Sequence, residues 1–346
     1  MQPVRHHFRD QAAACLRLGS PFTAMLLEMA ADRLDETGAV GHGILEWPGD
    51  PTADALALRF AGSLHALVLS GASPALARVY PGAGVDTDGD TLWSAVAGAL
   101  DRHGPAVLRF LQSPPQTNEV ARCAVLLGGF LAIAGQTGRP LALLEIGASA
   151  GLNLHWDGYA YALGEASWGP ATAPLRLGPE WRGPLPPLGS IEVQVRQGCD
   201  RRPIDPGDAH DRLRVRAYVW ADQKARLARL NAALDHVARQ GTRVEQADAA
   251  DWVEARLALR PVGLTTVLFH SIVWQYLPRA TQQRIVAALD RAGSMARENT
   301  PFAWLRMEPG PGGSHAELRL TTWPGAREHL LADADFHGRW VSWRAG

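Results

Sequence analysis

Lysine is almost absent from this 346-residue chain, since Lys224 is the only one and arginine supplies the remaining basic side chains. The 34 basic residues are balanced by 35 acidic ones, which leaves a formal net charge of −1. Such a balance gives no electrostatic reason to expect nucleic acid or an anionic membrane as a partner. We therefore expect a small-molecule substrate, and the sequence leaves the oligomeric state open.

Cysteine and long apolar runs are also scarce. Cys15, Cys123 and Cys199 lie far apart and form no Cys-x-x-Cys pair, which argues against a disulfide scaffold and a thiolate zinc site. The histidines show no ligand spacing either, so the sequence predicts no metal. The first residues, MQPVRHHFRDQ, lack a signal-type apolar stretch, and no run approaches the roughly 18 apolar residues of a membrane span. These features predict a cytoplasmic protein without a membrane partner.

Residues 1–138 show helical patterns only. The pair Ser20-Pro21 predicts a helix start, with serine as N-cap and proline at the first helical position. Nothing before residue 138 has a secure strand pattern, so we expect an all-helical cap domain. Helices are predicted at Phe8–Leu18, Pro21–Leu34, Asp54–Leu69, Thr91–Leu111 and Asn118–Ala134.

Residues 139–346 alternate strands with helices, which predicts an α/β domain with a mainly parallel, Rossmann-like sheet of seven strands. The last two strands lack a crossover helix between them and are expected to form a terminal antiparallel pair. A Gly-, Pro- and Trp-rich insertion at 155–190 interrupts the alternation and predicts an ordered lid. The predicted strands are Leu141–Ile146, Ile191–Arg196, Thr242–Gln246, Leu264–Phe269, Phe302–Met307, Ala316–Thr322 and Arg339–Trp343. The predicted helices are Ala221–Arg239, Ala249–Leu259 and Arg279–Arg291.

The most informative stretch is Leu141–Leu154, LALLEIGASAGLNL, in which a buried strand passes through a small-residue turn into a helix. Glycines at such a turn adopt positive φ and let a ligand approach the backbone. The segment fits two chemistries. Glu-x-Gly-x-x-x-Gly resembles the cofactor loop of class I S-adenosylmethionine-dependent methyltransferases, and Gly-x-Ser-x-Gly is the nucleophile elbow of serine hydrolases.

The methyltransferase resemblance, strengthened by the strand order, implies a cofactor site at the carboxyl ends of the strands. Asp200 would take the ribose hydroxyls, with Asp205 as the fallback, and Asp248 would take the adenine amino group. Asp200 could instead be a solvated turn residue, and Asp248 could simply cap the next helix. The residues assigned to S-adenosylmethionine are Glu145, Gly147, Ala148, Ser149, Gly151, Asp200 and Asp248.

The same resemblance places the methyl acceptor at the end of the fourth strand, where His270 would be a general base oriented by Glu308. His270 could equally be satisfied by backbone carbonyls, and Glu308 could be a surface acid. The polar segment SPPQTNEVAR would either close the site or cap a helix. The residues assigned to substrate binding are Gln116, Thr117, Asn118, Glu119, Arg122, Asn153, Asp157, Ser271, Trp274, Tyr276 and Arg306.

Two alternatives to the methyltransferase hypothesis remain. A serine hydrolase would use Ser149, although an acidic residue precedes the elbow and no strands lie upstream of it. A non-catalytic module would bind a nucleoside-like ligand or a protein. The base of the hydrolase would be His315, His329 or His337, and its orienting acid Asp333 or Asp335.

Segments along nearly the whole chain together resemble a bacterial family known as domain of unknown function 2332, and this resemblance implies no activity. The chain departs from common methyltransferase loops by carrying alanine and serine where a third glycine or a cysteine is frequent, and it lacks an Asp/Asn-Pro-Pro-Tyr motif. The segments that carry the family resemblance are FRDQAAACLRLGSP, LHALVLSG, SPPQTNEVAR, LLEIGASAGLNL, GCDRRPID, VLFHSIVWQYLP, WLRMEP and LTTWPGAREHLLADADFHGRWVSW.

Overall fold

The computed structural model describes residues 2–84, 88–116 and 118–344. The chain forms two compact units, the first made of Met1–Thr117 and Asp208–Asn231 and the second of Asn118–Gly207 and Ala232–Gly346. This boundary differs from the division at residue 138, because the apolar segment that precedes residue 138 packs against strands of the second unit.

All regular secondary structure in the described part of the first unit is helical, and helices also flank the sheet of the second. The α-helices are α1 Gln2–Arg17, α2 Pro21–Arg33, α3 Ala39–Leu45, α4 Leu56–Leu69, α5 Pro74–Ala77, α6 Gly89–Leu111, α7 Cys123–Thr137, α8 Ala209–Ala217, α9 Lys224–Gln240, α10 Ala249–Leu257 and α11 Arg279–Ser294.

The first unit is a helical assembly around one apolar core, as the sequence predicts for the N-terminal region. Helix α2 begins as expected, because the Ser20 side chain accepts a hydrogen bond from the Thr23 N–H and Pro21 occupies the first turn. The returning segment 208–231 belongs here because Asp222 accepts hydrogen bonds from the Ser20 hydroxyl and from the Phe22 N–H at 3.0 Å. The first unit is thus closed by residues that come from the middle of the chain.

The second unit contains a large sheet and a smaller one. The strands are β1 Leu141–Ile146, β2 Ala160–Leu163, β3 Ala166–Trp168, β4 Arg176–Leu177, β5 Glu180–Arg182, β6 Val193–Asp200, β7 Glu245–Gln246, β8 Thr265–Ser271, β9 Phe302–Pro309, β10 Ala316–Trp323, β11 Arg327–Ala334 and β12 Trp340–Trp343.

The large sheet has the strand order β5-β12-β11-β10-β9-β8-β1-β6-β7. Pairings from β7 through β9 are parallel and those from β9 through β12 are antiparallel, so the mixed, mostly parallel α/β sheet is confirmed. The count of seven strands is wrong, since the described residues form nine in this sheet. All seven predicted strands are present in it, and β5 and β11 are the two that the pattern missed.

The predicted terminal antiparallel pair is also wrong. β10 and β12 do not pair, because β11 lies between them and pairs with both. The segment REHLLADA alternates poorly, since its first three residues are exposed at the sheet end and only its second half is buried. An antiparallel meander of four strands therefore replaces the expected pair.

Helix α7 covers one face of the large sheet, and α10 and α11 cover the other. Gly129 lets α7 approach closely, since a Cβ there would lie 2.3 Å from the Leu305 Cδ1 atom. The prediction that no run approaches the length of a membrane span is wrong for Val120–Thr137, which is long and apolar enough to cross a membrane by length and composition. Yet 72% of this stretch is buried inside the fold.

The insertion at 155–190 is ordered, as expected, but its strands do not form a lid. β2, β3 and β4 form a separate three-stranded sheet, and β5 extends the far edge of the large sheet beside β12. The insertion is anchored by Tyr159 and Tyr161, whose rings are fully buried and whose hydroxyls donate to the Leu152 and Trp156 carbonyls. Its aromatic residues therefore stabilise the second unit.

Candidate functional site

The turn after β1 has the backbone conformation that its small residues predict. Gly147, Ser149 and Gly151 have φ angles of 69°, 53° and 72°, in the left-handed region that glycine tolerates best. Only glycine fits at position 147, because a Cβ there would lie 2.5 Å from the Val273 Cγ2 atom. The turn continues into a 3-10 helix over Leu152–Gly158 rather than the expected α-helix, with His155 in a non-helical conformation.

Asp200 ties the turn to the end of β6. Its two carboxylate oxygens accept hydrogen bonds from the Ser149 N–H at 3.0 Å and the Arg202 N–H at 2.8 Å. Its carbonyl oxygen also accepts from the Ala247 N–H at 3.1 Å. Asp200 thus joins three of the loops at this edge of the sheet. The fallback residue, Asp205, accepts from the Gly207 N–H in a local turn and does not line the cavity described below.

Asp248 follows β7 and caps helix α10. Its Oδ1 atom accepts hydrogen bonds from the Ala250 N–H at 2.9 Å and the Asp251 N–H at 3.4 Å. The cap uses one carboxylate oxygen, and Oδ2 has no hydrogen bond within the described part of the chain. The capping interpretation therefore describes the geometry, and it leaves an acceptor for a ligand.

A cavity of about 150 Å³ opens between the loops that follow β1, β6, β7 and β8. The cavity lies at the topological switch point of the parallel strands. The chain passes from β1 to its neighbour β6 on one side, and later forms β8 on the other side of β1. Open α/β sheets bind their ligands at such a point, outside the carboxyl ends of the strands. The lining residues are Gly147, Cys199, Asp200, Arg201, Ala247, Asp248, Ala249, Val273, Tyr276, Leu277, Pro278 and Thr281.

Glu145 lies on the other face of β1, where its side chain is buried. One carboxylate oxygen accepts a weak hydrogen bond from the Asn153 Nδ2 atom at 3.4 Å, and the Cys123 thiol donates to the Asn153 Oδ1 atom. The other oxygen receives no hydrogen bond from the described residues. Burial raises the pKa of the Glu145 carboxyl well above its usual range, and the nearby Asp200 adds to this effect. Glu145 therefore keeps a buried oxygen whose hydrogen bonding is unsatisfied by the described residues.

The polar segment before α7 braces the loops around the turn. Asn118 donates from Nδ2 to the Ala148 carbonyl at 3.2 Å, and Glu119 accepts from the Ala121 N–H. Arg122 donates to the Phe336 carbonyl at 2.9 Å and to the Ser271 carbonyl at 3.3 Å. Asn118 and Arg122 thus contact the ends of β1, β8 and β11, whereas the Glu119 bond is local. Of the other two predicted residues, Gln116 belongs to the first unit and Thr117 lies outside the described residues.

His270 is fully buried and both of its ring nitrogens are engaged. Nδ1 lies 2.6 Å from the Glu308 Oε1 atom, and Nε2 accepts a hydrogen bond from the Trp304 indole at 3.1 Å. The ring also stacks on Trp274, with centroids 5.3 Å apart. The predicted pairing of His270 with Glu308 is present, but in this geometry neither nitrogen is available to a substrate. A general-base role would require the Trp304 N–H to leave Nε2.

Glu308 fixes the loop that forms one wall of the cavity. Its Oε1 atom also accepts hydrogen bonds from the Val273 N–H at 3.1 Å and the Trp274 N–H at 3.2 Å. Between β8 and this loop, Ile272 has a φ of 52°, which is rare for a β-branched residue. Unfavourable backbone of this kind persists only where its surroundings hold it, and here Glu308 and the Met307 carbonyl do so.

The remaining predicted substrate residues separate into two groups. Tyr276 lines the cavity and is 72% exposed. Arg306 pairs with Glu328 on β11 and lies over the Trp304 ring, 4.0 Å from its centroid. Asp157 pairs with Arg196 away from the cavity. Only Tyr276 and the Trp274 loop thus belong to the cavity wall.

A sequence model of the family described as "Uncharacterized protein conserved in bacteria (DUF2332)" matches residues 5–343. The chain belongs to this family. No curated protein and no solved structure is similar enough to match it.

In this member of the DUF2332 family, the turn does not have the surroundings of a nucleophile elbow. The Ser149 hydroxyl is buried and has no hydrogen-bond partner within the described residues, histidine included. His315 does pair with Asp333, but it precedes β10, three strands from β1 and about 14 Å away along the sheet. Within the described residues, therefore, no base is hydrogen-bonded to the Ser149 hydroxyl as the hydrolase hypothesis requires.

Several cavity residues of this DUF2332 protein were not predicted from the sequence. Cys199, Val273, Leu277 and Thr281 contribute apolar or small side chains, which carry no chemical signature. The position of Val273 after a strand end was visible, but its contact with Gly147 depends on the positive φ of Ile272. No pattern in a single sequence indicates that conformation.

Proposed function

We propose that this protein is an S-adenosylmethionine-dependent methyltransferase-like enzyme that acts on a small acceptor. One observation carries the proposal: a cavity at the switch point is lined by Gly147 and by the acids that end β6 and follow β7. The parallel strands run in the order β7-β6-β1-β8-β9, which is the 3-2-1-4-5 order of a doubly wound dinucleotide-type sheet.

The residues present fit the polar parts of this cofactor. Asp248 keeps a free oxygen for an adenine amino group, and the Asp200 oxygens keep lone pairs for ribose hydroxyls. Glu145 has a buried oxygen without a partner in the described residues but does not line the cavity, so its contact with the ammonium group stays a prediction. When bound, the cofactor supplies an electrophilic methyl group on its sulfonium sulfur.

The volume of the cavity sets a condition on binding. At about 150 Å³ it is half the lower end of the roughly 300–1,000 Å³ range of small-molecule pockets. The side chain that limits the space over the turn is Val273, on the loop held by Glu308. We therefore infer that a whole cofactor enters only when this loop shifts, and that the closed cavity accommodates a fragment.

The chain's own residues then have three tasks. Gly147 lets a ligand approach the backbone, Asp200 holds the turn and the β6 end in register, and Glu308 positions the loop of Val273 and Trp274. Rate enhancement would come mainly from alignment of the acceptor with the reacting carbon. Proton transfer through His270 stays a prediction, since Trp304 occupies its Nε2 atom.

A second candidate is a nucleoside-binding protein without catalysis. It is favoured by the same engagement of both His270 nitrogens, which leaves this histidine no nitrogen free to act as a base. This candidate shares the ligand site with the first and differs in turnover. It predicts that adenosine and S-adenosylhomocysteine bind, with no methyl transfer to any acceptor in a panel.

Calorimetric titration with S-adenosylhomocysteine tests the proposal on the intact chain and on two matched variants. Asp248→Asn keeps a side chain that caps α10 but presents an N–H₂ donor to the adenine amino group, so we expect about tenfold weaker binding, or about 1.4 kcal/mol. Asp251→Asn, an exposed neighbour on α10 that pairs with Arg284, should bind as the unmodified chain does. No heat with either S-adenosylmethionine or S-adenosylhomocysteine at millimolar concentration would refute the proposal.

A further inference from the structure

Three ligand-type side chains converge on the antiparallel half of the large sheet, away from the cavity at β1. His315 precedes β10, Glu317 lies on β10, and Asp333 lies directly opposite Glu317 on β11. One nitrogen or oxygen from each side chain lies within 4.8 Å of the other two. His315 and Glu317 are two residues apart in the sequence, and the pairing of β10 with β11 brings Asp333 to them.

The distance between His315 and Asp333 suits two ligands of one ion. The Nε2 and Oδ1 atoms are 3.4 Å apart, which is longer than a charge-assisted hydrogen bond of about 2.7–2.9 Å. Two tetrahedral ligands, each about 2.0 Å from a zinc ion, are separated by about 3.3 Å. The observed spacing therefore leaves room for a metal ion between these two atoms.

Each of the three side chains is also contacted by a second residue. The Nδ1 atom of His315 is 3.0 Å from the Ser314 hydroxyl, which directs the Nε2 lone pair toward Asp333 when the ring donates. In the same way Arg319 donates to the Glu317 Oε2 atom at 2.7 Å. Outer partners of this kind orient the ligands in metal sites and fix the histidine tautomer.

Asp333 has an outer partner as well, and its other carboxylate oxygen lacks a hydrogen bond. Arg344 donates to the Asp333 Oδ2 atom at 2.6 Å, whereas the Oδ1 atom is buried and has no hydrogen-bond partner in the described chain. His315 Nε2 lies 3.4 Å from this oxygen, and when the ring donates from Nδ1 to Ser314, a cation or a proton between the two atoms satisfies both. The side chains are 12–30% exposed, so an ion from solvent can reach them.

We propose that His315, Glu317 and Asp333 bind a divalent transition-metal ion, with zinc as the best match to one imidazole and two carboxylates. Three protein ligands leave a fourth position for water or for an exogenous group, as in zinc sites that take part in reactions. This site does not depend on cofactor binding at the β1 turn.

A second group in the described residues, Asp208, His210 and Asp211, also brings three ligand atoms together. It lies at the start of α8, where Asp208 accepts the Asp211 N–H as an ordinary N-cap, and two of its members are exposed. No orphaned buried atom accompanies it, so it carries no proposal. His210 therefore provides a matched control for His315.

The experiment is titration of chelator-treated full-length protein with Zn²⁺ by calorimetry, and with Co²⁺ by visible absorption. We expect one ion per chain and visible d–d bands typical of a protein-bound Co²⁺ site with nitrogen and oxygen ligands. His315→Gln and Asp333→Asn should each weaken binding at least 100-fold, whereas Arg344→Gln should weaken it about tenfold through its outer contact. His210→Gln should bind as the unmodified chain does.

Absence of saturable Zn²⁺ binding by the unmodified chain would overturn the proposal, and His315 and Asp333 would then form an ion pair only. Undiminished affinity in His315→Gln, or loss of affinity in His210→Gln, would overturn it as well. Circular dichroism of each metal-free variant checks its folding. Should His315→Gln fail to fold, Glu317→Gln is the substitute, and the cobalt spectrum of the unmodified chain still decides between the outcomes.

Discussion

Replacement of Gly147 by alanine tests how the turn after β1 is built, because two separable costs meet at this residue. Alanine at a φ of 69° pays about 1–2 kcal/mol for the left-handed conformation. Its Cβ would also lie 2.5 Å from the Val273 Cγ2 atom, and overpacking of this kind costs about 1–3 kcal/mol. We therefore expect Gly147→Ala to lower the free energy of unfolding by about 2–5 kcal/mol.

Gly138 supplies the matched control for the conformational part. It ends α7 in the same unit with a φ of 60°, and an added Cβ would have no atom within 4 Å. Gly138→Ala should therefore cost only about 1–2 kcal/mol. A double-mutant cycle with Val273→Ala isolates the steric part, which should appear as a coupling of about 1–3 kcal/mol between positions 147 and 273.

The assay is urea-induced unfolding followed by tryptophan fluorescence and by far-ultraviolet circular dichroism, on the four variants and the unmodified chain. Both glycines lie in the second unit, so the same transition reports on both. Equal losses for Gly147→Ala and Gly138→Ala, together with zero coupling to Val273→Ala, would show that the loop does not press on the turn. That result would also remove the reason to expect loop movement on ligand entry.

Three further predictions concern the side chains of Glu145, His155 and Glu308. The native pKa of Glu145 is raised by burial, so the stability it contributes is complete below about 4.3, its unfolded value, and declines as pH rises. In urea unfolding across pH 4–8, the free energy of unfolding of the unmodified chain should accordingly fall relative to that of Glu145→Gln. Parallel pH profiles of the two proteins would contradict this. Burial, reinforced by Arg196, lowers the pKa of His155 to about 4, so stability should be lost as pH falls from about 6.5 toward 4, by up to about 3 kcal/mol. His155→Gln should reduce this loss of stability at acid pH. An unchanged loss would show that another group causes it. Glu308→Ala leaves three donors without an acceptor, so it should lower the free energy of unfolding by at least about 1–3 kcal/mol. Glu308→Gln keeps the acceptor oxygen and should cost clearly less. Equal losses in urea unfolding would show that Glu308 does not hold the loop through these hydrogen bonds.

The local patterns that were predicted correctly share one physical origin. The strand LALLEI is apolar at every position but Glu145 because helices cover both faces of the sheet, and all six residues are buried. Ser20-Pro21 starts a helix because hydroxyl and ring act within one turn of the chain. These signals are local, so one sequence suffices to interpret them.

The errors arise where distant residues decide the structure. β11 has only a weak alternation of its own, and its place between β10 and β12 depends on pairing with both. The structure of the 155–190 insertion could not be predicted for the same reason, since β5 forms a strand only by pairing with β12 at the edge of the large sheet. Intrinsic β-propensity is weaker than such tertiary context.

The candidate site divides in the same way. Gly147, Asp200 and Asp248 were identified because each follows a strand, and parallel strands deliver their carboxyl ends to one edge. The hydrogen bonds of His270 and Glu308 could not be predicted from the sequence. They depend on Trp304 from β9 and on two backbone N–H groups that the positive φ of Ile272 turns toward the Glu308 carboxylate.

By itself the sequence determined the helical first part, the parallel strands and the turn at Gly147, because apolar period, capping residues and glycine act over a few residues. Only the tertiary structure decided which side chains remain available. It closed His270 between Glu308 and Trp304, set Val273 over the turn, and brought His315 to Asp333. Hydrogen-bond donors and acceptors find their partners across the fold, and a linear sequence does not record which of them are already engaged.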